Sequence, residues 1–536
     1  MMKSIKMNKK AEIEKATSKS KTRLHLSIFS LYMMIIALSL SSHAKEYYYI
    51  PVAIPFIIAT IAGIDAVFGK PVITLYKIYI VSFFGLLAAL FFYKYVSTNS
   101  KDIYFLCFWG SIFSCIVCAS FLFGDSETLQ TSADTKNNIL IGSPHTYDGN
   151  RHLVTFAPNR SGKFVSVQAP VLLTLNRSML VIDPKGQAAA VTARRRREMG
   201  QKVITINPFG LHGLPRHKFN PLAALDPAAE SFADDVGLLV DGFIDQTGKD
   251  PFWSNSARDL FSWLIMWTVL YEPEKTLGTV RDLLCMSEGN EKEGLIGLAN
   301  DAHKSTFPAL RNKSAAFVKM TDNLRSVIQT AKSETEKFDS DLIKDSLSAS
   351  DFDFSELKNG KTTVYIILPA KNLGSHSKFL RVLVMSALSA MYERHDGERV
   401  VFMLDEFAQL GYLRDLENAA GLASGYGVQI WPFLQDLNQL QALYGDRWET
   451  FLSNSGIVQA FAPNDLTTAR YFSAISGEKF DGKPKMTIDD LFSLPEDKQL
   501  ISRNNAAGLL TISKTVDYYK NPDFTGMFDS DPYHNG

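Results

Sequence analysis

The sequence predicts an α/β protein with a parallel sheet, an all-helical insertion and transmembrane helices near its N-terminus. Short β-branched, apolar runs alternate with helical segments from about residue 144, but strand-like runs are missing between about 228 and 350. Most of the long uncharged stretches lie in the first quarter of the 536 residues. Strands and helices that alternate at this spacing form βαβ units, and such units place their strands parallel in one sheet.

The first quarter of the chain contains four candidate membrane spans. They lie near residues 24–44, 47–68, 76–95 and 103–124. The first and last candidates contain uncharged runs that match the roughly 20 apolar residues needed to cross a bilayer. The second is the weakest because it contains Pro51 and Pro55. A buried helix of a water-soluble domain is the alternative interpretation for each run.

The head of the chain, residues 1–23, is basic, with seven Lys and one Arg against two Glu. Positively charged flanks favour the cytoplasmic side of a membrane. We therefore expect the head to stay in the cytoplasm. An even number of spans then returns the chain to the cytoplasm after residue 124, where ATP is available.

Charge and cysteine usage exclude a protein that coats nucleic acid through bulk charge and one built on cysteine-bound metal or disulfides. Residues 1–143 hold 14 Lys and Arg against 8 Asp and Glu. The whole chain has 56 basic and 56 acidic residues, so the remainder holds 42 Lys and Arg against 48 Asp and Glu. A slightly acidic C-terminal part does not coat nucleic acid through bulk charge, so any DNA contact must use a local basic lining. The four cysteines show neither metal-ligand spacing nor a disulfide framework.

The stretch "TFAPNRSGKFVSV", residues 155–167, nearly matches the phosphate-binding loop G-x-x-x-x-G-K-[ST]. Gly162 and Lys163 are present, but Ala157 replaces the first glycine and Phe164 replaces the hydroxyl residue that contacts Mg2+. The loop follows a predicted strand and precedes a helix-compatible stretch. Backbone N–H groups and a helix N-terminus supply most of a phosphate cradle, whatever the side chains at 157 and 164. The sequence therefore predicts ATP binding with weakened Mg2+ coordination.

A second motif, "VVFMLDE", places Asp405 and Glu406 at the end of an apolar strand. A carboxylate there can hold Mg2+ directly or through water, the next one can orient the attacking water, and Lys163 can reach the β- and γ-phosphates. Taken separately, the two carboxylates could form a strand-end turn and Lys163 could be a solvated lysine. Gln435 ends the next strand, where it could sense the γ-phosphate or cap the following helix.

These motifs lie within a longer series of segments, which covers nearly the whole part after the spans. The segments are "APNRSGKFVSVQAPVLL", "VIDPKG", "FNPL", "FWSNSARDL", "VVFMLDEFAQLG", "QIWPFLQDLNQL", "FLSNSGIVQAFAPNDLTTARYFSAISG" and "KTVDYYKNPDF". Together they resemble the type IV secretion coupling proteins, the membrane-anchored ATPases of conjugative DNA transfer. Four spans would be a departure, because many members of that family have two.

The resemblance implies an architecture and partners. It implies a RecA-like P-loop nucleotide domain formed by residues 144–227 and 351–536, with the all-helical insertion at 228–350 and the basic head and spans at 1–143. It also implies a multi-pass protein of the bacterial inner (plasma) membrane, with its large C-terminal domain in the cytoplasm. The chain would form a homo-oligomer, a hexamer with ATP between subunits. Its partners would be type IV secretion channel components, a relaxase or other secreted protein, and single-stranded DNA.

The resemblance also implies roles for site residues. Asp405 would bind the metal ion, Glu406 would act on the attacking water and Gln435 would act as the sensor. Lys163 would be a third catalytic residue, through its ammonium group, beside Glu406 and Gln435. The phosphates would be lined by Pro158, Asn159, Arg160, Ser161, Gly162, Lys163 and Phe164.

Other polar residues keep two interpretations. Arg160 could contact phosphate in its own subunit or brace the loop. Arg447 or Arg470 could complete the site of a neighbouring subunit. The segment Asp183–Gly186 lies beside the nucleotide sheet or is simply a structural turn. The run Arg194–Arg197 could face a DNA channel, but a solvated or lipid-facing surface is favoured because four consecutive residues cover every side of a helix.

The sequence predicts an inner-membrane coupling ATPase that recruits DNA–protein or protein substrates and drives or licenses their transfer. Phe164 could make its turnover weak. Two alternatives remain: a nucleotide-binding receptor or scaffold with little ATPase activity, and a double-stranded DNA segregation motor. A transporter ATPase is disfavoured because the chain lacks an L-S-G-G-Q signature.

Overall fold

The computed structural model describes residues 138–534, apart from 143–144, 245–250, 395, 480–481 and 504–508. These residues belong to one compact unit, residues 132–536. The basic head and the four candidate spans lie outside the described residues. Within the described part, no helix is both long and apolar enough to cross a membrane.

Two sheets organise the described part of the chain. β1 pairs with β2 in an antiparallel hairpin, and the other nine strands form one sheet in the order β11-β10-β9-β3-β8-β7-β4-β6-β5. The strands from β9 to β5 run parallel, while β10 and β11 add an antiparallel edge. The strands are β1 (Ile139–Gly142), β2 (His145–Tyr147), β3 (His152–Phe156), β4 (Ser178–Asp183), β5 (Lys202–Ile206), β6 (Thr362–Ile367), β7 (Val400–Leu404), β8 (Val428–Leu434), β9 (Ser455–Phe461), β10 (Lys498–Arg503) and β11 (Leu509–Ser513).

The central strands are buried along their whole length. Every residue of β3, β4, β6, β7, β8 and β9 is buried, as expected for a parallel sheet with helices on both faces. Such strands are nearly continuous apolar runs, and the mixed α/β architecture predicted from those runs is confirmed. Strands β1, β2 and β10 were not predicted from the sequence. In β10 only Leu500 and Ile501 are apolar, so no long apolar run marks it.

Helices cover both faces of the sheet. They are α1 (Ala169–Thr174), α2 (Gln187–Glu198), α3 (Phe232–Asp241), α4 (Pro251–Tyr271), α5 (Leu277–Leu284), α6 (Gly294–His303), α7 (Pro308–Ser314), α8 (Asp322–Glu334), α9 (Asp341–Ser346), α10 (Ala370–Leu373), α11 (Ser377–Tyr392), α12 (Arg414–Leu422), α13 (Leu437–Tyr444), α14 (Glu449–Ser453), α15 (Leu466–Ile475) and α16 (Ile488–Phe492). Among the described residues between 228 and 350, β-structure is limited to one isolated bridge, between Asn290 and Glu293. The domain boundaries stay a prediction.

The four-arginine run lies on α2, and the prediction of a solvated or lipid-facing surface is wrong for Arg196. This side chain is fully buried, and its guanidinium donates to Thr363 Oγ1 (2.8 Å) and to three main-chain carbonyl groups at or beyond the end of α1. Burial lowers the pKa of Arg196 to about 10, so it stays charged at neutral pH. An arginine can be buried when its donors are satisfied, and Arg196 here joins α2 to the sheet. Arg194 instead pairs with Asp529 near the C-terminus (2.6 Å).

His152 links two central strands as a neutral side chain. It is 3% exposed in β3, and its Nδ1 accepts a hydrogen bond from the main-chain N–H of Ile430 in β8 (3.0 Å). Burial lowers the pKa of His152 to about 4. The imidazole of the folded protein is therefore uncharged at neutral pH.

This burial predicts a loss of stability in mild acid. Between about pH 4 and the ordinary histidine pKa of about 6.5, His152 is protonated in the unfolded state but neutral in the folded state. The free energy of unfolding therefore falls as pH falls through this window. At pH 5 the expected loss is about 2 kcal/mol relative to pH 7. His152→Gln, whose amide oxygen can still accept the hydrogen bond, should lose about that much less in urea titrations at the two pH values. His303→Gln, at an exposed histidine, is the matched control; equal losses in wild type and His152→Gln would contradict the prediction.

Candidate nucleotide site

The loop between β3 and α1 has the backbone shape of an anion-binding turn. It ends in a single π-helical turn, Phe164–Gln168, that leads directly into α1. Gly162 has a left-handed backbone (φ 83°) and is followed by Lys163 in the right-handed helical region. Arg160 is also left-handed (φ 64°), which is unusual for a residue with a Cβ atom. Successive residues of opposite hand turn their N–H groups towards a common point, where an anion can bind.

Sheet topology brings the two sequence motifs together. One strand, β8, lies between β3, which precedes the loop, and β7, which precedes Asp405 and Glu406. Lys163 Nζ lies 2.8 Å from Asp405 Oδ1 and 2.9 Å from Glu406 Oε1. All three side chains are mostly shielded from solvent. The residues proposed for phosphate and metal binding therefore form one group, although they are about 240 positions apart in sequence.

The charge of Lys163 is held by this pairing. Burial alone would lower the pKa of Lys163, but the two carboxylates outweigh it, and its pKa is raised above the ordinary value. The pairing thus favours the charged form of Lys163 beside the two carboxylate groups. Glu406 also has a left-handed backbone (φ 50°) at the start of the helical turn Phe407–Leu410. Strain of this kind in a non-glycine residue is characteristic of functional sites.

Gln435 follows β8 and lies next to the loop. Asn159 Nδ2 donates to Gln435 Oε1 (3.4 Å). The capping residue of α13 is Asp436, whose carboxylate accepts from the N–H of Gln439 (3.0 Å). Gln435 is therefore not the helix cap, and its side chain contacts the residue predicted to line the phosphates. Its role as a sensor stays a prediction.

A cavity of about 1290 Å³ opens beside these residues. Its wall includes the loop, the end of β4, Asp405 with Glu406, and residues 513–517, 519–520 and 533–534. This volume exceeds the roughly 300–1,000 Å³ of ordinary small-molecule sites.

The side chains of the cavity fit a nucleotide with Mg2+. Ser161 Oγ is buried and makes no hydrogen bond within the described part of the chain. Asp405 and Glu406 supply hard oxygen ligands, and Mg2+ is commonly held by one or two carboxylates together with substrate phosphates. The ammonium group of Lys163 complements a phosphate in the same place.

Phe164 stands where a hydroxyl residue would contact the metal ion. Its ring meets the ring of Tyr518 edge-to-face, with centroids 6.0 Å apart. The next hydroxyl along the chain, Ser166 Oγ, donates to the carbonyl of Gly162 (2.8 Å). Phe164 therefore contributes a packing contact where a hydroxyl would contribute a ligand.

The packing partner of Phe164 belongs to a segment whose position sequence reasoning missed. We call residues 514–534 the C-terminal segment. Lys514 Nζ donates to the carbonyl of Ser161 (3.0 Å), and the N–H of Tyr518 donates to the carbonyl of Val165 (3.0 Å). The motif "KTVDYYKNPDF" was the available signal, but a motif without helical or strand periodicity does not show where it packs.

The remaining candidates do not join the charged group of Lys163, Asp405 and Glu406, although Asp183 also lines the cavity. Asp183 is buried and accepts from the N–H of Ala189 in the first turn of α2 (2.9 Å), and burial raises its pKa to about 6. This contact favours the structural interpretation of the Asp-Pro turn. Arg447 pairs with Glu417 (2.7 Å), and Arg470 is exposed on α15. Whether either arginine serves a neighbouring subunit stays a prediction.

A buried arginine on α11 connects the carboxylate motif to the start of the helical region. The guanidinium of Arg381 donates to two carbonyl groups just after β7 and two just after α3, at distances of 3.0–3.1 Å. The acceptors are the carbonyl oxygens of Leu410, Tyr412, Gly242 and Ile244. Two segments far apart in sequence are thus held by one side chain.

Comparison with known proteins places the chain in a family. The family described as "Type IV secretory system Conjugative DNA transfer" matches residues 120–480. Protein VirD4 of Rhizobium radiobacter is 30% identical over 349 residues, which cover 63% of this chain and 50% of that protein. Conjugal transfer protein TraG of Escherichia coli is 27% identical over 429 residues, covering 74% of this chain and 65% of TraG. The chain spans about half to two thirds of the length of these curated relatives.

Solved structures show the same fold. The bacterial conjugative coupling protein TrwBdeltaN70, in its unbound form, has a TM-score of 0.53 at 13% identity, covering 72% of this chain and 89% of that one. TrwB in complex with ADP and Mg2+ has a TM-score of 0.53 at 14% identity, covering 70% and 88%. The predicted RecA-like sheet agrees with this likeness. With a family match over two thirds of its residues, the chain belongs to the type IV secretory system conjugative DNA transfer family.

Proposed function

We propose that this chain is a coupling ATPase of a type IV secretion system, which recruits a DNA–protein or protein substrate and uses ATP to drive or license its transfer. The observation that carries the proposal is the contact of Lys163 with both Asp405 and Glu406 across the sheet. The family match and the names of the relatives support the link to conjugation. Nucleotide hydrolysis, the substrate and the partners belong to the proposal.

The residues of the site have complementary tasks in this proposal. An arriving triphosphate competes with the carboxylates for Lys163, because a phosphate group and a carboxylate attract the same ammonium group. Asp405 is then free to hold Mg2+, and Glu406 is free to orient the attacking water and accept its proton. The metal ion, when bound, supplies neutralisation of phosphate charge. Gln435 contacts Asn159 of the loop, and both side chains would contact the γ-phosphate.

A motor also needs a mechanical connection between the site and the substrate-binding part. Arg381 offers one, since it ties the segment after β7 to the segment after α3. A change in the conformation of Glu406 would be transmitted through Leu410 and Tyr412 to this arginine. In the proposal the helical region beyond α3 docks the substrate. A hexameric ring would place ATP between subunits, with Arg447 or Arg470 reaching the neighbouring site.

A second function, a nucleotide-binding scaffold with little turnover, is favoured by one observation. Phe164 packs against Tyr518 and leaves the metal without its usual hydroxyl ligand. Such a site would bind nucleotide to support assembly and would hydrolyse little of it. The two proposals differ in the turnover they predict.

The membrane arrangement belongs to the proposal as well. Uncharged runs in the first 124 residues and the basic head support an inner-membrane anchor with the C-terminal part in the cytoplasm. An even number of spans, such as four, places both ends of the chain on the same side of the membrane.

Lys163→Ala should lower ATP affinity by more than about tenfold. It removes a charge-assisted contact of about 1.5–3 kcal/mol and leaves two carboxylates that repel the triphosphate. Isothermal titration calorimetry of the purified full chain with Mg2+ and ATP measures the change. Lys304→Ala, at a 73% exposed lysine paired with Asp301, is the matched control. Equal affinities of Lys163→Ala and wild type would count against the site.

Glu406→Gln should retain ATP binding but lower turnover by roughly 100-fold or more, the range expected for loss of a general base. Phosphate release by the purified chain, with and without single-stranded DNA, measures it. Glu449→Gln, at an exposed glutamate, is the control. Unchanged turnover in Glu406→Gln would exclude the assigned role.

The variants Phe164→Thr and Phe164→Leu complete this experiment by separating motor from scaffold. Both lose the ring contact with Tyr518, but only threonine supplies a hydroxyl. The motor proposal expects more Mg2+-dependent turnover in the threonine variant than in the leucine variant. Absence of turnover in wild type and in Phe164→Thr would remove the motor and leave the scaffold.

A reporter fusion tests the membrane proposal. Alkaline phosphatase, which is active only in the periplasm, should be inactive when fused after residue 536. Green fluorescent protein at the same position should be fluorescent. Alkaline phosphatase inserted between residues 96 and 102 should be active, since three spans precede this point. An active C-terminal phosphatase fusion would show that the number of spans is odd.

A further inference from the structure

The C-terminal segment forms a fixed wall of the nucleotide cavity. Besides its contacts with Ser161 and Val165, it is anchored through Asp531, which accepts from Gln187 Nε2 (2.8 Å) and from the hydroxyl of Tyr518 (2.7 Å). These bonds hold the segment against the phosphate loop and the start of α2. Side chains on its inner surface therefore have defined positions relative to Lys163.

Large apolar side chains are concentrated where this segment borders the cavity. Val516, Tyr519 and Tyr533 are 53%, 39% and 51% exposed, and all three line it. The ring of Tyr519 also lies 5.6 Å from the ring of His534, another lining residue. Exposed apolar residues normally occur singly on a protein surface, and a group of them marks a binding site. In this protein the group adjoins a site for a charged ligand.

The cavity is lined by two chemically different groups of side chains. Lys163, Asp405 and Glu406 form the charged group, and the C-terminal segment adds the rings of Tyr519 and Tyr533 among charged neighbours. A nucleotide likewise combines a charged triphosphate with a flat base. A volume of about 1290 Å³ has room for both parts.

We propose that the C-terminal segment provides the nucleobase subsite and that the base of a bound nucleoside triphosphate stacks on Tyr519. The inference rests on the proposed function, because it assumes that the triphosphate binds at Lys163. Every base has a π-face, so stacking gives affinity with little selectivity among bases. Phe164 gains a purpose in this arrangement, since its contact with Tyr518 fixes the residue next to the stacking ring.

The experiment compares ATP with inorganic tripolyphosphate, which carries the same chain of phosphates without base or ribose. Calorimetry on the full chain with Mg2+ should show ATP binding at least about tenfold tighter than tripolyphosphate. Tyr519→Ala should weaken ATP binding about tenfold and leave tripolyphosphate binding unchanged. Tyr519→Phe keeps the ring and should bind both as wild type does. The hydroxyl of Tyr519 bonds to Asp517 at the exposed surface, so the phenylalanine variant also controls for that contact.

Each outcome tests either the base subsite or the proposed function, and the two can be told apart. Equal binding of ATP and tripolyphosphate by wild type would overturn the base subsite without requiring any variant. Wild-type ATP affinity in a folded Tyr519→Ala protein would overturn the role of Tyr519. Failure of wild type to bind either compound would instead overturn the proposed function. ATP binding that depends on Lys163 but not on Tyr519 would leave the proposed function intact and remove only the base subsite.

Discussion

The site depends on one electrostatic contact, the position of the Lys163 ammonium between the carboxylates of Asp405 and Glu406. Three charges at this separation inside a partly buried site need a rigid support, and β3, β8 and β7 provide it as adjacent parallel strands. Without a triphosphate the lysine neutralises the carboxylates. In the proposed function the same lysine is attracted to the phosphates of a bound triphosphate, and the carboxylates become available. The contact therefore joins nucleotide binding to the freedom of the groups proposed for hydrolysis.

The sheet and the charged group were predictable because their signals are local. A strand buried on both faces must be apolar along its length, so β4, β7 and β8 stand out as short runs. Parallel strands carry their loops at one edge, which explains why Lys163 and Asp405 meet. The weaker edge strand β10 lacks this signal, because only its middle is apolar.

The C-terminal segment and the buried arginine were not predictable in the same way. Tyr518 reaches Phe164 over more than 350 residues, and no periodic pattern in either stretch indicates the contact. The sequence presents Phe164 as a missing metal ligand, whereas its ring also supports the wall of the cavity. The contacts of Arg196 were equally unpredictable. Helix geometry implies that one of four consecutive arginines faces inward, but it does not show which groups accept its hydrogen bonds.

A structure of the full chain bound to a non-hydrolysable ATP analogue and Mg2+ tests the central claim most directly. The distances to be measured are those from Lys163 Nζ to the nearest phosphate oxygen and to Asp405 Oδ1. The account predicts that the ammonium lies within hydrogen-bond distance of phosphate and that Asp405 faces the metal ion. An analogue bound elsewhere, with Lys163 still paired to both carboxylates, would contradict it.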